Sequence, residues 1–97
     1  MIRSFKTQGT EDIFNGTSTK AARATCPQAI WTVAARKLSM IDYAARLDDL
    51  RSPPGNRLEK LERDRKGQHA IRINEQYRVC FVWTDDGAAE VEITDYH

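Results

Sequence analysis

The sequence predicts a single α+β domain, in which two N-terminal helices pack on one face of a twisted, mainly antiparallel β-sheet. Two observations predict this fold class. In the second half of the chain, apolar and polar residues alternate in short segments separated by hairpin-length turns. In the first half, apolar residues recur at the spacing of a helix. With 97 residues, of which 40% are hydrophobic, the chain is long enough for one core, and we expect one domain over residues 1–97.

The first half is predicted to form one short strand and two helices. Residues 2–6 alternate as a strand does, and residues 10–14 begin a short helix with acids in its first turn. The second helix should begin with Thr25 as its N-cap, because Gln28 completes a capping box and Pro27 fits the first turn. It is expected to end at residue 43 or 46. Its apolar stripe, which needs a sheet to cover, comprises Ile30, Val33, Ala34, Leu38, Ile41 and Ala45.

The second half is predicted to contain strands alone. Pro53 and Pro54 stop the helix, since tandem prolines cannot continue one, and Gly55 permits a turn. The turns at residues 74–76 and 85–87 are short, so the last three strands should form an antiparallel meander. The four strands are expected at residues 57–61, 68–74, 77–84 and 88–94, with a charged loop at 62–67.

The charge of the chain is unevenly distributed, although the formal net charge is only +1. Residues 51–78 contain eight Lys or Arg against four Asp or Glu, whereas residues 79–97 contain five acids and no Lys or Arg. This asymmetry predicts a basic face that meets a polyanion and an acidic last strand that restrains or positions it.

Several classes of protein are disfavoured by the sequence. Cys26 and Cys80 lie far apart with no CxxC or His-rich company, so we expect free thiols in a reducing cytosol and no metal site. The longest apolar run, residues 79–83, is too short for a membrane span, and no apolar leader follows the N-terminus. The absence of Walker, GxGxxG, HExxH and GxSxG motifs argues against a small-molecule cofactor and against zinc-protease or serine-hydrolase chemistry.

Two strand arginines are candidates for binding phosphate. Period-two alternation places Arg78 on the face opposite Tyr77, and Arg72 on the face opposite Ile71. If helices cover the apolar side, both arginines lie in an open cationic trough, where a planar guanidinium can bind two phosphate oxygens at once. The alternative is that they are ordinary strand arginines, paired across the sheet with Glu90 or Glu92.

A charged loop and a histidine extend this candidate surface. The loop at residues 63–67 carries three positive charges and is either a phosphate-binding loop or merely a solvated one. His69 shares a face with the apolar Ile71, which is more typical of a hydrogen-bonded core residue than of a functional one.

The last three residues, Asp95, Tyr96 and His97, bring acid/base groups to the end of the last strand. Histidine transfers protons near neutral pH, and an arginine stabilises added negative charge. Together they supply the parts for RNA strand cleavage without a metal ion. The competing interpretation is an accidental, frayed terminus.

Five segments of the chain, in their order, form a specific pattern: MIRSF at residues 1–5, RSPPGNRLEKL at 51–61, GQHAIRIN at 67–74, YRVCF at 77–81 and DYH at 95–97. This pattern covers nearly the whole chain. It resembles a known family, the HigB toxins of the RelE superfamily.

The resemblance implies a RelE-like fold and a ribosome-dependent mRNA endonuclease that cuts mRNA in the A site of the 70S ribosome without a metal or other cofactor. It also implies a cytoplasmic bacterial toxin that a HigA-type helix-turn-helix antitoxin silences. By position, Arg78 matches the arginine under the scissile phosphate. His97 would transfer the proton, Tyr96 would be a platform or hydrogen-bond donor, and Asp95 would orient both. The residues expected to bind RNA are Arg57, Lys60, Arg63, Arg65, Lys66, His69 and Arg72.

One departure from the family separates this chain from better-known members. They carry a His-Pro-Leu-Lys-Gly stretch where this chain has residues 59–63, so Glu59 and Glu62 stand in place of an active-site histidine and lysine. We therefore expect weaker cleavage than in a typical member. The main alternative function is a non-catalytic module of the same fold that binds a ribosome or an antitoxin, and a third is a metal-free RNase that acts on naked RNA.

Overall fold

The computed structural model describes residues 1–95 and confirms the α+β class. In this part of the chain the four strands form one antiparallel sheet, whose order follows the sequence. The helices are α1 (Gln8–Asn15), α2 (Lys20–Thr25) and α3 (Trp31–Tyr43). The strands are β1 (Glu59–Lys60), β2 (His69–Arg72), β3 (Tyr77–Thr84) and β4 (Gly87–Asp95). Short 3-10 helices cover Gln28–Ile30, Leu47–Arg51, Pro54–Asn56 and Arg63–Arg65.

The predicted start of the second helix is wrong. Thr25 is the last residue of α2, and its hydroxyl donates to the carbonyl oxygen of Ala21 at 2.8 Å. A separate cap at Thr19 accepts from the Ala22 amide at 3.0 Å, which starts the additional helix. Pro27 then follows an extended residue and has no N–H to continue α2, so a 3-10 turn separates α2 from α3. A capping signature depends on a few neighbouring residues, and Thr19 carries the same type of side chain as Thr25. The signature alone therefore does not show which of the two begins a helix.

Helix α1 approaches α2 closely at Gly9, which is buried. A β-carbon added to Gly9 would overlap the Thr25 hydroxyl and the backbone carbonyl of Ala21. Gly55, by contrast, has open space within 4 Å of the same position. The α1–α2 packing therefore depends on the missing side chain at Gly9.

We expect Gly9→Ala to lower the free energy of unfolding by roughly 1–3 kcal/mol or more, because overpacking against backbone atoms forces the two helices apart. Gly55→Ala is the matched control and should change stability by less than about 1 kcal/mol, since the added methyl group meets nothing. Urea denaturation of both variants measures the difference, and equal midpoints would contradict this account.

The core lies between the helices and one face of the sheet. The predicted apolar stripe is confirmed at Ala34, Leu38 and Ile41, which are fully buried. They belong to the same cluster as Val79 and Phe81 of β3, so the helices cover this side of the sheet, as the alternation predicts. The stripe's last predicted member lies beyond the end of α3 and is exposed.

The predicted first strand and the predicted alternation of the last strand both differ from the structure because β4 contains a bulge. Glu90 has a positive φ of 50°, and the β3–β4 register shifts beside it. Ala88 is consequently buried in place of Ala89. The N-terminal segment runs parallel to β4 but pairs only through isolated bridges from Ile2 and Phe5, one on each side of the bulge.

Candidate functional site

The face of the sheet away from the helices carries two rows of side chains across the strands. Arg72 of β2 lies directly opposite Arg78 of β3, which in turn lies opposite Thr94 of β4. The neighbouring row comprises Glu59, Ala70, Cys80 and Glu92. We call this surface the open face, although Ala70 and Cys80 in its middle are fully buried in a small second cluster with Leu61. The two strand arginines are brought together on it, as period-two alternation predicts.

Arg78 is half-buried and fixed at the turn between β2 and β3. Its Nη1 atom donates to the carbonyl oxygens of Asn74 at 2.6 Å and Tyr77 at 3.3 Å. The Asn74 side chain shapes the same turn, because its Oδ1 atom accepts from the amides of Gln76 at 2.9 Å and Tyr77 at 2.7 Å. Sequence reasoning missed Asn74, although an asparagine that opens a short turn is a known signal for this side-chain bond. The turn thus holds the guanidinium at one end of the open face.

Arg72 does not pair with Glu90 or Glu92 among the described residues, so that alternative is wrong for Arg72. Its partner is Glu75, at 3.7 Å. The Arg72 side chain is 22% exposed and the Glu75 side chain 95% exposed, so water screens this pair strongly. A phosphate can therefore compete for the Arg72 guanidinium at low cost.

Arg65 is placed differently from the other basic residues of its loop. Its Nη1 atom lies 2.9 Å from Glu92 Oε1 and 3.1 Å from Gln68 Oε1, and its Nη2 atom donates to Thr94 Oγ1 at 3.2 Å. Lys6 approaches the same Glu92 carboxylate at 3.7 Å. Arg65 is thus bonded to the protein, whereas the predicted RNA-binding residues Arg57, Lys60, Arg63 and Lys66 are exposed.

His69 lies on the helix-covered face and is not brought together with Arg78. It pairs across β1–β2 with Lys60 and stacks on Phe81, with ring centroids 6.4 Å apart. Its Nδ1 atom is buried and has no hydrogen-bond partner in the described part of the chain. Burial lowers the pKa of His69, and the nearby charges of Lys60 and Arg51 lower it further. The ring is therefore neutral at pH 7. His69 thus behaves as a core residue, as its register predicted, but its Nδ1 atom lacks the hydrogen bond that we expected.

The predicted catalytic tail is described only at its first residue. Asp95 ends β4 opposite Tyr77 and is exposed, and its Oδ2 atom accepts from Gln76 Nε2 at 3.0 Å. Tyr96 and His97 lie outside the described residues. The end of β4 nevertheless lies one strand away from the segment that carries Arg78.

Both cysteines are free and buried, which confirms the expectation of free thiols. Burial raises the pKa of Cys80 to about 11, against a smaller opposing effect of the Arg65 and Arg78 charges. Burial likewise raises the pKa of Cys26 to about 11. Cys80 lies beside Arg78 on the open face, but a thiol that stays protonated at neutral pH is a poor nucleophile.

We expect both thiols to resist a thiol-specific reagent in the native protein at pH 8, because a pKa of about 11 leaves roughly one thiol in a thousand ionised. Reactivity should rise as the pH approaches 11 and should be complete for both thiols after denaturation. Absorbance-monitored labelling gives the rates. Rapid native labelling of either cysteine at pH 8 would show that its thiol is accessible and ionisable.

Two properties of the described residues bear on the site. No group of three or more His, Cys, Asp or Glu side chains within residues 1–95 is arranged to hold a metal ion. None of the helices in this part of the chain is both long and apolar enough to cross a membrane.

Comparison with known proteins identifies the family. The family model for RelE-like toxins of the type II toxin–antitoxin system HigB matches residues 3–97. The chain belongs to this HigB family. The resemblance of the sequence segments is thereby confirmed over almost the full chain.

Individual relatives of this HigB-family protein match over shorter segments. Toxin HigB-1 of Vibrio cholerae serotype O1 is 49% identical over 59 residues, which are 61% of this chain and 62% of the relative. An uncharacterised protein of Haemophilus influenzae is 42% identical over 60 residues, which are 62% of this chain and 59% of that protein. The matched segments thus span about three-fifths of the length of these curated relatives.

A solved structure supports the fold. The YoeB-YefM complex from Staphylococcus aureus contains a chain that superposes with a TM-score of 0.61 at 14% sequence identity, covering 100% of this chain and 98% of the other. At that identity the similarity concerns the fold alone. It confirms the prediction of a RelE-like fold.

Proposed function

We propose that this HigB-family toxin is a ribosome-dependent mRNA endonuclease, which inhibits translation by cutting mRNA in the ribosomal A site without a metal ion or other cofactor. The observation that carries the proposal is the pairing of Arg72 and Arg78 on the open face, next to the end of β4. Guanidinium groups on the same face of two adjacent strands attract a phosphate.

The proposed reaction is attack of a ribose 2′-oxygen on the adjacent phosphorus. The 2′-OH loses its proton, the new P–O bond forms, and the P–O bond to the 5′-oxygen breaks, which leaves a 2′,3′-cyclic phosphate and a 5′-OH. Arg78 stabilises the negative charge that builds up on the phosphorane oxygens. His97 transfers the proton, Tyr96 supports the substrate, and Asp95 orients its neighbours.

Ribosome binding is assigned to the exposed basic residues of the segment from Arg57 to Lys66, beside the sheet. Arg57, Lys60, Arg63 and Lys66 are exposed and free to contact phosphates of ribosomal RNA. Arg72 is the member of the predicted RNA-binding set that lies beside Arg78. His69 is neutral and lies on the helix-covered face opposite Phe81, so the proposed ribosome contacts do not include it. We further propose that the partner that silences the toxin is a HigA-type helix-turn-helix antitoxin, and that both proteins act in the bacterial cytoplasm.

The decisive experiment is mapping of mRNA 5′ ends on purified ribosomes with and without the protein, with naked mRNA as a parallel substrate. New 5′ ends in the A-site codon on ribosomes alone are the expected result. Cosedimentation with ribosomes without cleavage would favour the non-catalytic binding module. Equal cleavage of naked mRNA would favour a ribosome-independent RNase.

We also expect Glu62→Lys to raise the cleavage rate, because it restores the positive charge that better-known family members carry at this position. Glu62 is exposed, and only its backbone carbonyl holds the following 3-10 turn, by accepting from the Arg65 amide at 3.2 Å. The substitution should therefore leave the loop intact. Cleavage is measured at saturating ribosome concentration. An unchanged or lower rate in the folded variant would mean that this branch of the family works without that cation.

A further inference from the structure

We propose that Arg65 is a positioning residue for the cleavage site, which fixes the end of β4 and keeps the Glu92 carboxylate away from Arg78. This inference rests on the proposed function and deepens it. Arg65 is a residue that the sequence assigns to RNA binding, and the structure instead gives its guanidinium three side-chain partners within the protein.

The Arg65 guanidinium bonds to two neighbouring positions of β4. Its two terminal nitrogens bind Glu92 and Thr94, which are two residues apart on β4 and therefore point to the same face. These partners lie 27 and 29 residues further along the chain. Arg65 thereby connects the loop before β2 to the last residues of β4, immediately before Asp95. A fork that binds two acceptors at once is a property of arginine and not of lysine.

Glu92 lies close to both Arg65 and Arg78. Its side chain is only 12% exposed, and its nearest partner, Arg65 Nη1, is 2.9 Å away. Glu92 and Arg78 are diagonal neighbours on the open face, because Arg78 pairs with Thr94 two residues further along β4. Diagonal neighbours are within reach of long side chains. Without Arg65, the carboxylate would keep the more distant and more exposed Lys6, at 3.7 Å, and would attract the Arg78 guanidinium and repel a bound phosphate.

Lys66, the adjacent residue of the loop, differs from Arg65 in its exposure and its bonding. Lys66 is exposed, and no side-chain bond of its own is found within the described chain. If both residues simply contacted RNA, their removal would weaken ribosome binding in the same way. If Arg65 positions the site, its removal acts on the chemical step instead.

The experiment measures single-turnover cleavage of ribosome-bound mRNA as a function of ribosome concentration. Arg65→Ala should lower the maximal rate by roughly ten- to a hundredfold, as expected when a reacting group is misplaced by about 1 Å. The ribosome concentration at half-maximal rate should change less than about threefold. Lys66→Ala should show the reverse, with a weaker apparent affinity and an unchanged maximal rate. Arg65→Lys should recover only part of the rate.

A rescue variant separates positioning from mere stability. Glu92→Gln introduced into Arg65→Ala removes the stray carboxylate and should restore the maximal rate on the order of tenfold, within the range of coupling between contacting residues. Thr94→Val, which removes a single acceptor without altering charge, should lower the rate only several-fold. All rates are measured well below each variant's melting temperature.

Each outcome decides between the alternatives. A parent protein that produces no cleavage contradicts the proposed function itself, and the positioning role with it. An active parent whose Arg65→Ala variant loses affinity but keeps its maximal rate overturns the positioning role alone and restores Arg65 as an RNA contact. A rate loss that Glu92→Gln fails to relieve overturns the role assigned to the carboxylate.

Discussion

Replacing Arg78 with alanine is expected to lower mRNA cleavage by roughly a hundredfold or more, the cost of removing one preorganised donor to a charged transition state. The guanidinium is held at the β2–β3 turn by Nη1 bonds to two backbone carbonyls, which fix its position at the end of the open face. Arg78→Lys should recover only part of the rate, because a point charge lacks the fork. Single-turnover cleavage on saturating ribosomes measures both variants.

The same bonds call for a control, since loss of Arg78 also loosens the turn. Asn74→Ala removes two side-chain bonds to the Gln76 and Tyr77 amides and loosens the turn without touching the guanidinium. We expect this variant to retain cleavage within several-fold of the parent. Were it as defective as Arg78→Ala, the role of Arg78 would be to shape the turn. Parental activity in both Arg78 variants would reduce the residue to an ordinary part of the strand.

His97→Ala is expected to abolish detectable growth inhibition and to lower cleavage by roughly a hundred- to ten-thousandfold, the usual contribution of a positioned general acid or base. Stability should change little, because Val91 and Ile93 anchor β4 in the core. Melting temperature and cleavage of ribosome-bound mRNA are measured on the same preparation. Cleavage at the parental rate by this variant would remove His97 from the mechanism.

A neighbouring control tests whether the effect belongs to His97 or to general disturbance of the strand end. Gln76→Ala removes the donor to Asp95 that lies across from the end of β4, and it retains the side chains of Arg78, Asp95 and His97 themselves. This variant should keep cleavage within several-fold of the parent. An equally large loss would show that the contacts of the strand end, and not proton transfer, limit the reaction.

The sequence predicted those elements whose periodicity is expressed by several residues at once. Helix α3 and the meander of β2, β3 and β4 were within reach because each repeats its pattern over several turns or pairs. The start of the second helix could not be predicted, because two hydroxyl residues, Thr19 and Thr25, carry similar capping signals and only packing decides between them. The first strand was overestimated because its pairing depends on β4, which is far away in the chain.

In the candidate site, too, local patterns predicted some features, and contacts between distant residues determine the others. The shared face of Arg72 and Arg78 follows from alternation alone. The bonding of Arg65 does not, because its acceptors Glu92 and Thr94 are nearly thirty residues distant and no local pattern links them. Placement of His69 on the helix-covered face was implied by its register with Ile71. The lowering of its pKa was not, because it depends on burial and on the charges of Lys60 and Arg51.

The bulge at Glu90 decides what faces Arg78. Strand β3 has 8 residues and β4 has 9, and the bulge absorbs the extra one. If the pairing of the hairpin end continued without it, Ile93 would stand opposite Arg78 on the open face, and the Glu92 carboxylate would be driven into the core. The single extra residue of the bulge therefore keeps Ile93 in the core and places Thr94 and Glu92 on the open face. The surface beside Arg78 is consequently polar and charged where RNA would lie.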